Sequence, residues 1–212
     1  MEEKIIKENL IEGDFIFDGK VIFENHIEVT GKIEAFSIYA KESLKAYSIT
    51  VKESIKVGNF IEADFIKVGS FIKAYSITAK KSLKAYSITV KESIEADSIM
   101  SGDFIDAGNF IEADFIKAGS FIKAYFITVK KSIEAGNYIE ADFIKVGSFI
   151  NATSIIAKKS IKVGNYIEAG NYIEADFIKA GSFIKAYSIT VKKSIEAGNY
   201  IEGKLLCGNF GR

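Results

Sequence analysis

Proline and tryptophan are absent from the 212-residue chain, and cysteine and histidine occur once each. One cysteine closes no internal disulfide, so the chain is not a small secreted domain held by disulfides. His26 has no second histidine or cysteine near it, which removes the usual ligand sets for zinc. There is no excess of either charge, since 28 Lys and Arg face 28 Asp and Glu. That balance argues against a nucleic-acid partner, which calls for a basic surplus, and against a solvated charged tail. No apolar run reaches the roughly 18 residues of a membrane-spanning helix. The opening MEEKIIKENL mixes both charges and reads as neither signal nor transit peptide, so the expectation is a cytoplasmic protein.

What is present is a short repeat, with Ile, or occasionally Leu, returning every five or six residues. The units IEADF, IKVGSF, IKAYS, ITAKKS, LKAYS, ITVKES and IEADS begin at Ile61, Ile66, Ile72, Ile77, Leu83, Ile88 and Ile94, and the register runs from Ile11 to Ile201. Positions one and three of a unit are apolar, and position two is mostly Glu, Lys or Thr. In IEADF at Ile111, a period of two puts Ile111, Ala113 and Phe115 on one face and Glu112 and Asp114 on the other. Only an extended strand presents that period, and a helix face would need apolar residues at i, i+3, i+4 and i+7. Strands this short bury their apolar side only by stacking coil on coil. The fold class is therefore all-β, a single-stranded parallel β-helix (β-solenoid) with isoleucine columns inside.

Coil size is open between two units and three. A two-sided coil reverses at each corner and recruits Gly, Asn or Pro there, yet IKAYS and LKAYS contain none of these. Opposite charges at position two recur more often two units apart than three, as in Glu112 with Lys123 and Glu174 with Lys185; Lys117 with Glu134 and Lys123 with Glu140 illustrate the wider spacing. Exposed pairs contribute only about 0–1 kcal/mol, less than corner strain, so the expectation is a triangular coil of three units. At that size the chain makes about 11 coils. Wording loosens at both ends, giving an N-terminal cap over 1–10, a solenoid over 11–202 and a C-terminal cap over 203–212.

Chemistry is sparse. His26 is read as a corner residue of a capping coil rather than a general base, and Cys207 as a small apolar residue rather than a nucleophile. The aspartates of ADF, Asp64, Asp114, Asp142 and Asp176, are read as solvated outward positions, because the Gly- and Asp-dense nonapeptides of calcium rolls are missing. Thr78, Thr89, Thr128 and Thr190 form no regular row of the kind an ice-binding face needs. Gly-Asn-Tyr, as at Gly136–Tyr138 and Gly198–Tyr200, reads as corner chemistry, and no GxxxxGK[ST] phosphate loop occurs. No catalytic, cofactor-binding or metal residue is expected, and no small-molecule substrate.

Aromatic residues close units in blocks, Phe60, Phe65 and Phe71, then Phe104, Phe110, Phe115, Phe121 and Phe126, with serine between the blocks. The reading favoured here turns them inward to fill a wider core; turned outward, they would form adhesive patches. Tyr47, Tyr75, Tyr86, Tyr125 and Tyr187, at position four, are expected to point outward, and Tyr75 with Tyr86 is a candidate face for bundling.

The run IEAFSIYAKESLKAYSITVKESIKVG, from Ile33 to Gly58, resembles the bactofilins, bacterial cytoskeletal β-helix proteins that polymerise. The resemblance lies in short, proline-free Ile/Val-Lys/Glu-Ala/Val units and implies a right-handed triangular β-helix that joins end to end into non-polar filaments, often beside a membrane. The N-terminal segment lacks a clear apolar stretch, which argues against membrane attachment. The functional expectation is a structural, non-enzymatic solenoid whose partner is itself, joined through Leu205, Leu206 and Phe210 in the last coils. The alternative is a fibre or adhesin-type spacer that binds along its flat side faces.

Overall fold

The computed structural model describes residues 1–207. They form a parallel β-solenoid with about 17 residues per turn and no helix among them. The chain divides into two compact units, Met1–Gly108 and Asn109–Arg212. Each is built the same way.

In the first unit three columns of large apolar residues face inward. Ile27, Leu44, Ile61, Ile77 and Ile94 form one, and Ile33, Ile49, Ile66, Leu83 and Ile99 the second, with each residue in register with the next. Ile38, Ile55, Ile72, Ile88 and Ile105 form the third. None is more than 3% exposed. Steps of 16 or 17 residues along each column mean that three sequence units close one coil, as the corner residues imply. In the second unit the columns are Ile111, Ile127, Ile144, Ile161 and Ile178; Ile116, Ile133, Ile150, Ile167 and Ile184; and Ile122, Ile139, Ile155, Ile173 and Ile189. Position three, next to the corner where two walls converge, holds Ala or Val in most units and is buried there, as at Ala113, Val129, Val146 and Val163.

Coil size settles which charges meet. Glu112 stands beside Thr128, and Glu174 beside Ile156 and Thr190, so the pairings with Lys123 and Lys185 that favoured a two-unit coil do not form. Lys117 instead donates to Glu134 Oε2 at 2.8 Å, and Lys123 approaches Glu140 at 3.5 Å. The hydrogen bond from Lys117 raises its pKa above the usual lysine value. More frequent charge matches two units apart reflect the sequence pattern, not proximity.

The inward reading of the unit-ending aromatics is overturned. Phe115 is 44% exposed, and Phe60, Phe65, Phe71, Phe110 and Phe126 are likewise exposed, with Phe104 and Phe121 half-buried. The period of two does not run through a whole unit. Pairing shifts register at the corner between Ala113 and Phe115. Within the strand Phe110–Ala118, Phe115 then starts the next wall, where it immediately precedes inward Ile116, and alternation turns it out.

Glycine is required where coils stack most closely. One corner of the second unit carries Gly147, Gly164, Gly181 and Gly198 on successive coils, whose N–H groups donate to Val129, Val146, Val163 and Ala180 at 2.8–3.2 Å. A Cβ on Gly147 would run into the carbonyl oxygen of Lys130, and one on Gly164 into that of Gly147.

Candidate self-association surfaces

The strand Tyr200–Cys207 is the outermost described strand of the second unit. Its segment Tyr200–Glu202 lies in register with Phe183–Lys185, and Lys204–Cys207 with Ser188–Val191. The two segments meet at Gly203, whose φ of +145 suits glycine and whose Cβ would strike the carbonyl oxygen of Ala186. Among the described residues no strand pairs with the outer edge of this one. Ile201 and Leu205 extend two of the isoleucine columns, yet Leu205 is 44% exposed where its column neighbour Ile189 is fully buried. Leu206 continues the outward row of Glu174 and Thr190 and is also exposed. The two leucines therefore differ: Leu205 is an uncovered core position, and Leu206 a surface one. Phe210 lies outside the described residues.

The outer edge of the first unit has another character. Its strand Glu3–Ile6 pairs with Lys20–Phe23. Lys4 stands over the rings of Phe15 and Phe17 at 5.5 and 5.8 Å, and Lys20 meets Glu3 at 2.8 Å. Ion pairs join Lys7 and Lys41 to Glu24, and the hydrogen bond from Lys41 lowers the Glu24 pKa. Charge on an edge strand discourages strand addition. Ile5 and Leu10 are exposed there as well, but in charged surroundings.

Tyr47, Tyr75, Tyr86, Tyr125 and Tyr187 are all exposed, as position four suggests. Tyr75 and Tyr86 are not brought together. Tyr75 follows the column containing Ile72 and Tyr86 the column containing Leu83, so they occupy different corners. Two sequence units separate them, whereas a coil takes three. Tyr75 donates to Glu92 Oε1 at 3.0 Å, which raises its pKa, and the Tyr86 ring lies against Gly102.

The ADF aspartates are not freely solvated. Their side chains are between 13% and 27% exposed, tucked into corners beside lysines of the next coil. Lys158 lies 3.1 Å from Asp142 and its pKa is raised by that contact; Lys193 lies 3.4 Å from Asp176. Each short carboxylate is partly buried at its corner, and a lysine of the next coil compensates that burial. Among the described residues no group of three His, Cys, Asp or Glu could hold a metal. His26 is half-buried with its ring centroid 6.0 Å from that of Phe60, and the backbone of Cys207 pairs with Val191.

Two features escape a reading of the units one by one. Phe149, Tyr166, Phe183 and Tyr200 stack ring on ring along one corner, with centroids 4.8–5.2 Å apart and planes within 6°. Asn199 Nδ2 donates to Ser182 Oγ at 3.0 Å beside them. Their 17-residue spacing is visible in the sequence once the coil length is known. The second feature is a groove of about 510 Å³ along a different corner, lined by Gly136, Asn151, Thr153, Glu168, Gly170 and Tyr187 among others. No family model, no curated protein and no solved structure matches this chain.

Proposed function

We propose that this protein is a structural scaffold that joins copies of itself end to end, in the manner of the bactofilin-like polymers its repeats resemble. The uncovered edge of Tyr200–Cys207 carries the proposal. The same edge of a second copy, laid antiparallel on this one across a two-fold axis, would satisfy its outward N–H and C=O groups and cover Ile201 and Leu205 at once. Burying such a side chain from full exposure contributes about 1.5–3 kcal/mol. Ile201 is 39% and Leu205 44% exposed, so covering each gains a little under half of that, and two copies joined through like edges would cover four. The charged edge at Glu3–Ile6 supports the choice of the other edge as the adhesive one.

Sedimentation velocity over a range of concentrations tests this. The native chain is expected to shift to larger species as concentration rises, and Leu205→Lys to stay smaller at the same loading. A native chain that remains monomeric at every concentration refutes the proposal, as does a Leu205→Lys variant that assembles like the native chain.

A further inference from the structure

The corner that follows the column Ile133, Ile150, Ile167 and Ile184 differs from the others in the second unit. Successive coils place Gly136, Thr153, Gly170 and Tyr187 there. The first three leave the groove, and Asn151, Glu168, Lys185 and Glu202 border it from position two. Thr153 Oγ1 donates to the carbonyl of Gly136 at 2.6 Å, which turns its side chain into the corner. Tyr187 closes the groove and stands 78% exposed, more than any other aromatic side chain among the described residues. Glu168 lies in register with Lys185, yet among the described residues it makes no ion pair; Lys185 reaches Glu202 only at 3.9 Å.

One copy thus presents a protruding ring and, one coil away at Gly170, a hole. It also presents an acid and a base one coil apart. A two-fold axis parallel to the strands, passing midway between the coils of Glu168 and Lys185, inverts the order of coils and leaves the position along each strand unchanged. Under that operation Tyr187 of each copy meets Gly170 of the other, and Glu168 meets Lys185 twice. Asn151 meets Glu202 of the coil beyond. The surface is complementary to itself in shape and in charge, which a closed two-fold contact requires. We infer that two copies pair side by side and antiparallel through this corner, each tyrosine seated in the other's groove. The seat itself, Tyr187 at Gly170 with Glu168 against Lys185, lies on neither outer edge strand, so it does not depend on the end-to-end junction.

A mixture of nitrogen-15-labelled and unlabelled chains, treated with a zero-length carbodiimide cross-linker and analysed by mass spectrometry, tests the pairing. A Glu168–Lys185 cross-link joining labelled to unlabelled peptide is expected. Leu205→Lys should leave its yield unchanged, which separates this contact from end-to-end assembly. Gly170→Leu should abolish it. A Cβ at Gly170 meets only ordinary contacts of 3.7 Å or more, and the residue has no positive φ, so this variant keeps its fold. Tyr187→Ala and Glu168→Lys should each weaken pairing by about tenfold or more, and Glu168→Lys combined with Lys185→Glu should restore it. Absence of the mixed-isotope cross-link overturns the inference, as does an unchanged yield in Gly170→Leu or a failure of the double exchange to rescue.

Discussion

Phe71 and Ile72 are neighbours in sequence with opposite destinations, and replacing each by alanine separates the two readings of this repeat. Ile72 is 1% exposed between Ile55 and Ile88 in its column. Removing three carbons forfeits about 2.4 kcal/mol of transfer free energy at ~0.8 per carbon. The cavity adds up to about 1.5 kcal/mol at ~24 cal/mol per Å³. Ile72→Ala should therefore cost about 4 kcal/mol. Phe71 is 43% exposed, and Ser87 occupies its position on the next coil. With about half of a phenyl group's burial at stake, Phe71→Ala should cost only about 1 kcal/mol. Urea denaturation followed by far-ultraviolet circular dichroism measures both. Equal losses, or a larger loss for Phe71→Ala, would refute the outward placement of the unit-ending aromatics and the corner geometry behind it.

Two further outcomes follow from the same geometry. Gly147→Ala should lower the melting temperature markedly because its Cβ collides with the Lys130 carbonyl, whereas Gly170→Ala should be nearly neutral; calorimetry of the two variants checks the contrast. The Glu24 pKa is lowered from its ordinary 4.5, chiefly by the hydrogen bond from Lys41, so the native state binds its proton less readily than the unfolded chain. That contribution is complete above 4.5 and is lost as pH falls through the depressed folded value. The melting-temperature difference between the native chain and Glu24→Gln should accordingly stay constant above pH 4.5 and shrink below it.

Much of the fold is legible in the sequence, because an isoleucine followed two residues later by Ala or Val marks an inward pair whatever surrounds it. The three-unit coil is legible too, from corners such as that of IKAYS which lack reversal residues. The direction of Phe115 is not. Alternation is reset at each corner, and a unit cut before isoleucine hides the reset by assigning Phe115 to the wall it has just left. The same cut hides the setting of Asp142, whose lysine partner comes from the next coil. Surfaces are harder still. Tyr75 and Tyr86 look alike as words but sit at different corners, while Tyr166 and Phe183, a coil apart, stack at 4.8 Å. Leu205 and Leu206 are adjacent and apolar, and only the register with Ile189 and Thr190 shows which one extends the core.

The most direct test of the three-unit coil is the distance between outward residues one coil apart. With Cys207→Ser as background, nitroxide labels on cysteines replacing Lys145 and Lys162, which are register partners, should sit on strands about 4.8 Å apart and show strong dipolar broadening. Labels replacing Glu112 and Lys123, two units apart, should show little. Broadening confined to the second pair would mean that the chain winds two units to a coil and would contradict the architecture described here.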